Sequence, residues 1–206
     1  MLNLKNIRFV LWMLVGLAVG SLAILVWRIA ATEPQRAGTI EPGQPMAEGA
    51  NWSLLDEAGQ PFTPADLRGR PTLLVFGFTH CPDVCPTSLS YVANALQALG
   101  PQAEGVRSVF LTVDPERDTA QVMSEYTALF DERILGVTGK PEEVTAALKS
   151  LGAFARKAPL DGGGYNVDHT ASMLLLDAQG RLRSILDVHE PAEVAAEKVR
   201  RLLSTS

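Results

Sequence analysis

Two cysteines occur in the 206 residues, and both stand in one short stretch, Phe78-Thr79-His80-Cys81-Pro82-Asp83-Val84-Cys85-Pro86-Thr87. A spacing of four lets both sulfurs converge on one point if the chain turns between them. Two thiols so placed can close a disulfide, exchange one with a partner, or grip one soft metal ion. A purely structural disulfide is the weakest of these readings, because its stabilisation grows with the length of the loop it closes and this loop is short. The spacing alone leaves redox and metal chemistry open, so a third group matters. The histidines are His80, His169 and His189. His169 lies in Asp168-His169-Thr170-Ala171-Ser172, after a glycine-rich segment and before the apolar run MLLLD. A lone histidine near a strand is more often structural than a ligand, but two thiols elsewhere in a compact domain improve its standing. His80 adjoins Cys81, and neighbours on an extended chain point apart, so it ranks below His169. His189, beside Glu190 and Pro191, reads as a solvated helix start. Asp83 and Asp168 read first as solvated loop charges and second as groups that orient ligands.

The cysteines need an element to aim them. Pro71–Thr79, PTLLVFGFT, is an almost continuous apolar and β-branched run, the pattern of a strand buried on both faces of a mostly parallel sheet. Residues 86–99 place Leu89, Val92, Leu96 and Leu99 on one helical face, with Pro86 at the start. Cys85 then sits at a helix N-terminus and Cys81 one turn before it. Unpaired N–H groups and the positive dipole end are expected to lower the pKa of at least one thiol there.

The remaining elements follow from periodicity and punctuation. Trp52–Leu55, the turn Asp56–Gly59 and Gln60–Phe62 read as a hairpin. Val106–Val113 is a second buried strand. Asp118 with Gln121 resembles a capping box opening a helix with Val122, Tyr126, Leu129 and Phe130. Ile134–Thr138 is a short strand, and a helix from Pro141 buries Val144, Leu148 and Leu151. PLDGGGYNVD, residues 159–168, is loop by composition. Ser172–Asp177 and Leu182–Asp187 form a closing hairpin, and a last helix from Pro191 packs Ala195, Val199 and Leu202. Strands alternating with helices predict a three-layer α/β sandwich with right-handed crossovers and a mixed sheet.

Charge is unevenly spread. The chain has 18 basic and 23 acidic residues, a net charge of −5. Residues 1–28 hold Lys5, Arg8 and Arg28 and no acid, which leaves fifteen basic residues against all twenty-three acids in the remainder. An acidic body argues against a nucleic-acid partner. Nineteen uncharged residues, FVLWMLVGLAVGSLAILVW, separate Arg8 from Arg28. As a helix they nearly span a bilayer core of about 30 Å, with Trp12 and Trp27 near the ends. The expected organisation is a cytoplasmic N-terminus (1–8), a transmembrane anchor (9–27), a flexible linker (28–45) and a folded domain (46–206). The positive-inside rule places that domain outside the cytoplasmic membrane, in the periplasm of a bacterium. A cleaved signal peptide is the alternative. The apolar run exceeds the usual 7–15 residues, and Ile29-Ala30-Ala31 lacks a small residue at the first cleavage-site position.

FTHCPDVCPTSL, TVDPERDT (residues 112–119) and YNVDHTASMLLLD (residues 165–177) resemble, in this order, the Sco/SenC family. Its members are membrane-anchored, thioredoxin-like copper chaperones for cytochrome c oxidase assembly. The resemblance covers about residues 46–204. It implies a thioredoxin-like fold and one copper ion per chain, Cu(I) or Cu(II), held by Cys81, Cys85 and His169. It also implies delivery to the dinuclear copper centre of an oxidase subunit, with a thioredoxin-like reductant and a second periplasmic copper chaperone as further partners. Asp114, Pro115, Arg117 and Asp118 fall in a characteristic loop of the family. Thioredoxin-fold redox proteins generally place a cis-proline before the strand facing the cysteines; no proline occurs between Pro159 and Pro191, and His169 stands at about that place. Two thiolates and a neutral imidazole suit Cu(I), a soft ion content with three donors. The resemblance is to a carrier rather than an enzyme. A thiol–disulfide reductase acting on the oxidase's cysteines is the main alternative, and a redox or copper sensor is another. A peroxiredoxin is disfavoured: Pro82 and Phe78 stand where that family has Thr or Ser and Pro ahead of its reactive cysteine.

Overall fold

A computed structural model of the chain describes residues 4–31, 41–160 and 162–204. They belong to two compact units, Met1–Gly38 and Thr39–Ser206. In the first, helix α1 runs over Leu4–Ala31 and contains the whole uncharged run. Its described apolar side chains are exposed, Trp12 at 74%. Among the described residues no helix is long and apolar enough to cross a membrane. The expected linker, residues 28–45, is described only at its two ends. Residues 28–31 finish α1, and 32–40 lie outside the described residues. Residues 41–45 are docked on the folded body: the Gly43 N–H donates to the Leu182 carbonyl at 2.6 Å, the Leu182 N–H donates to the Gln44 carbonyl at 2.9 Å, and Pro45 bridges to Arg181. Glycine and proline there build a turn that answers backbone groups.

In the second unit, β1 (Leu54–Asp56) and β2 (Pro61–Phe62) form the expected N-terminal hairpin, with Leu54 opposite Phe62. Strands β3 (Thr72–Gly77), β4 (Arg107–Thr112) and β5 (Ile134–Thr138) are parallel neighbours. A separate two-stranded ribbon pairs β6 (Ala155–Pro159) with β7 (Tyr165–His169). The hairpin of β8 (Met173–Leu176) and β9 (Leu182–Leu186) joins the main sheet antiparallel to β3. The sheet order is β2-β1-β5-β4-β3-β8-β9.

All six residues of β3 are buried. Alternate side chains point to opposite faces, so both faces of the sheet are covered there. Helices α2 (Val84–Leu99) and α3 (Ala120–Ala128) share one face. Gly77 points at Cys85, the Phe110 ring lies 5.8 Å from that of Tyr126, and Gly136 abuts Met123. Two right-handed crossovers stepping the same way, from β3 to β4 to β5, require this. Helix α5 (Ala192–Leu203) packs beside α2, where Arg200 Nη2 donates to the Ala98 carbonyl at 2.6 Å. Helix α4 (Pro141–Ser150) buries Val144, Ala147 and Leu148.

Two local expectations are corrected. Asp118 does not cap α3. Thr119 does, its hydroxyl accepting from the Val122 N–H at 3.3 Å, and the buried positions are Met123 and Thr127, with Leu129 78% exposed beyond the helix end. The Asp118 side chain is withdrawn because buried donors claim it. Half of residues 159–168 is strand, Pro159 at the end of β6 and Tyr165–Asp168 in β7; between them Gly163 and Gly164 take φ of 88° and 78°, which favours glycine. The ribbon escapes a composition-based reading because one face is exposed and polar, leaving little apolar alternation.

Candidate metal centre

Strand β3 ends at Gly77, and the chain turns through Phe78–Asp83 into α2. The Cys81 N–H donates to the Phe78 carbonyl at 3.2 Å, which closes the turn. The Cys85 N–H donates to Cys81 Sγ at 3.4 Å. A first-turn amide that no helical carbonyl can reach is thus answered by sulfur. The helix begins at Val84, two residues before the expected start, and Pro86 sits inside the first turn, where its missing N–H has no helical partner to lose. Cys85 is buried and Cys81 is partly exposed.

His169 closes β7. Its Nε2 lies 3.9 Å from Cys85 Sγ, and the donor atoms of Cys81, Cys85 and His169 all lie within 4.8 Å of one another. The ring is oriented from behind: Nδ1 is 2.8 Å from the Thr170 carbonyl. A carbonyl only accepts, so this contact assigns the hydrogen to Nδ1 and turns the Nε2 lone pair toward the sulfurs. The Phe78 ring meets the imidazole edge-on at 5.6 Å. Two sulfurs and one imidazole nitrogen around one point form a soft three-donor group suited to one copper ion.

The expected lowering of a thiol pKa is overturned for Cys85. Burial pushes this thiol well above its ordinary 9.0, and the neighbouring Cys81 and Asp118 push in the same direction. The cost of desolvating a thiolate outweighs the backbone hydrogen bond at Phe78, which acts the other way. A bound cation reverses that balance, because a coordinated thiol is deprotonated.

The loop that presents Cys81 is anchored by Asp118, which is fully buried. Its carboxylate accepts from the Thr79 N–H at 3.2 Å, the Thr79 hydroxyl at 2.6 Å and the Thr112 hydroxyl at 2.6 Å. The Asp118 carbonyl accepts from the Thr138 hydroxyl at 2.6 Å. One residue thereby ties the ends of β3, β4 and β5 beneath the cysteine turn. Asp114, also buried, pairs with Arg117 and accepts from the Tyr165 hydroxyl at 2.9 Å.

The other flagged residues stay outside the cluster. His80 is exposed, its Nδ1 3.1 Å from the Thr79 hydroxyl, and His189 is exposed beside Asp187 at 2.7 Å. Asp168 pairs with Arg156 on the exposed face of the ribbon. Asp83 precedes α2 without a side-chain capping bond. Two residues that position the site carried no flag, Gly77 and Tyr165. A Cβ on Gly77 would lie 2.6 Å from Cys85 Sγ and 2.6 Å from the Phe110 ring. A glycine closing an otherwise bulky buried strand is the available signal for such a close approach. Gly77→Ala is expected to cost about 1–3 kcal/mol of folding stability by overpacking. It should also displace Cys85 and weaken metal binding more than tenfold; urea unfolding and metal titration check both.

Fold and site together define a thioredoxin-like mixed α/β protein whose cysteine turn and a histidine strand meet in a metal-type cluster. The family model described as SCO1/SenC matches residues 41–204, and the chain belongs to that family. It is 39% identical over 154 residues to the mouse protein named SCO2 homolog, mitochondrial, covering 73% of this chain and 60% of that one. It is 31% identical over 182 residues to an SCO2-like protein of Rickettsia felis, covering 87% of each. The structure of Bradyrhizobium japonicum ScoI with copper bound matches it with a TM-score of 0.71 at 40% identity, covering 79% of this chain and 99% of that one.

Proposed function

We propose that this chain is a membrane-anchored copper carrier that binds one copper ion through Cys81, Cys85 and His169 and passes it by ligand exchange to the dinuclear copper centre of a respiratory oxidase subunit. The convergence of those three donors within 4.8 Å carries the reading. It is supported by the copper described in the Bradyrhizobium relative's structure and, for the oxidase, by the family resemblance. The anchor is inferred from the sequence, as residues 9–27, since the described part of α1 is not by itself long and apolar enough to cross a membrane. These residues carry no charge, lie within one helix and expose apolar side chains along the described length, which lipid would cover. The basic flank keeps the N-terminus in the cytoplasm and the copper domain in the periplasm. Partners on that side are the oxidase copper subunit, a thioredoxin-like reductant and a second copper carrier. The test is metal stoichiometry of the reduced protein. One Cu(I) per chain is expected, with affinity falling about tenfold or more in His169→Ala; a variant that binds as tightly as the parent would remove His169 from the site.

A second reading, thiol–disulfide exchange with the oxidase's own cysteines, is favoured by one observation. Cys81 is partly exposed and Cys85 buried behind it, both as free thiols, an attacking and resolving arrangement. It predicts mixed disulfides through Cys81 that survive His169→Ala. The two roles are compatible, since copper loading needs reduced thiols.

A further inference from the structure

We propose that Asp114, Arg117 and Tyr165 form a latch that holds His169 on the copper site, and that the opening of this latch sets the rate at which copper leaves. The inference rests on the copper reading above.

His169 stands on a ribbon that cannot fix its own position. Two isolated strands are marginal in water, so the placement of β7 depends on what its inner face touches. Alternation puts Tyr165, Val167 and His169 on that face. Val167 is buried, whereas Asn166 is exposed and Asp168 pairs outward with Arg156. At the Tyr165 end the contacts converge on the loop between β4 and α3. The Tyr165 hydroxyl donates to Asp114 Oδ1 at 2.9 Å. Arg117 Nη1 donates to the Tyr165 carbonyl at 3.2 Å, and the guanidinium lies 4.0 Å from the centre of the Tyr165 ring. Lys157, from the paired strand, sits 4.5 Å from the same ring and 2.6 Å from Glu116.

The same guanidinium lies 5.7 Å from the Phe78 ring, the ring that meets His169 edge-on. Arg117 therefore touches both the ribbon and the turn that presents Cys81. Asp114 is 1% exposed and paired with Arg117, so its carboxylate aims the fork. Among the described residues Arg117 Nη2 is buried with no hydrogen-bond partner. An unanswered donor lowers the stability of the closed arrangement, leaving a latch that holds the ribbon without locking it. At the far end of β7 the Thr170 N–H donates to the Phe154 carbonyl and the Phe154 N–H to the Thr170 hydroxyl, each at 3.1 Å, which leaves a hinge beside His169.

Lifting the ribbon withdraws Nε2 from the ion. Cu(I) keeps the Cys81 and Cys85 thiolates and gains an open position, which an acceptor's donor atom fills. One copper–nitrogen bond breaks, one bond to the acceptor forms, and no electron moves. Asp114, Arg117 and Tyr165 are positioning residues, acting through His169.

The test uses the full chain in detergent, loaded with one Cu(I), and follows transfer to bathocuproine disulfonate. The nitrogen hyperfine pattern of the Cu(II)-loaded form is recorded in parallel. Tyr165→Phe removes one hydroxyl and keeps the ring; transfer about tenfold faster is expected, the equivalent of one lost hydrogen bond, with weakened imidazole hyperfine. Arg117→Gln is expected to be faster still, and Arg117→Lys to recover part of the difference. Arg156→Gln, which breaks only the outward pair, is expected to match the parent. Parent-like transfer and hyperfine in Tyr165→Phe would overturn the latch. A parent protein that binds no copper would instead overturn the copper reading.

Discussion

Replacing Asp118 with alanine is expected to destabilise the protein by about 3–5 kcal/mol. The carboxylate is fully buried and accepts from three donors, the Thr79 N–H and the hydroxyls of Thr79 and Thr112. Truncation leaves all three without this acceptor, the Thr112 hydroxyl in a buried place and the Thr79 donors in a partly buried one, and a buried donor left unpaired costs about 1–3 kcal/mol. The hydroxyls recover part of the loss by rotating toward other acceptors; the Thr79 amide cannot. Asp118→Asn keeps the shape and one acceptor oxygen but turns an amide toward the remaining hydroxyl, so an intermediate loss is expected. Because Thr79 lies two residues before Cys81, the alanine variant should also bind copper more weakly at a temperature where it is folded. Urea unfolding followed by near-UV circular dichroism checks the stability, and a loss under 1 kcal/mol would mean that the cysteine turn is anchored elsewhere.

The reach of the sequence is clearest at such residues. Strong periodicity placed the elements that carry the cysteines: the apolar run became β3, fully buried between β4 and β8, and the Leu89–Leu99 face became α2. The N-terminal hairpin, Ile134–Thr138 and the closing hairpin fall where turn chemistry put them. In sequence Asp118 reads as a cap, because spacing shows that a carboxylate can reach a helix end and says nothing of the Thr79 and Thr112 donors that lie closer in space. Residues 159–168 of the ribbon bearing His169 read as loop, since its exposed face is charged and its glycines dominate the composition. Tyr165 stands inside a quoted motif, yet its partner Asp114 is 51 residues away, a distance that no local pattern spans. The rise in the Cys85 pKa was equally hidden, because helix position is legible in sequence and depth of burial is not.

That rise gives the copper-free protein a stability that falls with pH. Below 9.0 the Cys85 thiol is protonated in both the folded and the unfolded chain, and it contributes no pH dependence. Above 9.0 the unfolded chain gives up this proton, while the folded chain keeps it because burial disfavours the thiolate. The unfolded state then binds fewer protons, so stability falls as pH rises, by up to about 1.4 kcal/mol per pH unit from this group. Cys85→Ser is expected to remove that part of the slope, leaving the background from tyrosines and lysines common to both proteins; urea unfolding between pH 8 and 10.5 separates the two. Copper loading is expected to remove the fall above 9.0 as well, because the coordinated sulfur has already lost its proton. Cu(I) added near pH 7 should therefore release the Cys85 proton, measurable in weakly buffered solution. A slope unchanged in Cys85→Ser would show that the thiol ionises as freely folded as unfolded. The chemical consequence bears on the choice between carrier and reductase. A thiol held protonated at neutral pH is a poor attacking group for disulfide exchange, so Cys85 does little redox work until another charge arrives. In the carrier reading that charge is the copper ion, and the same burial that silences the free thiol strengthens its attraction for the bound cation.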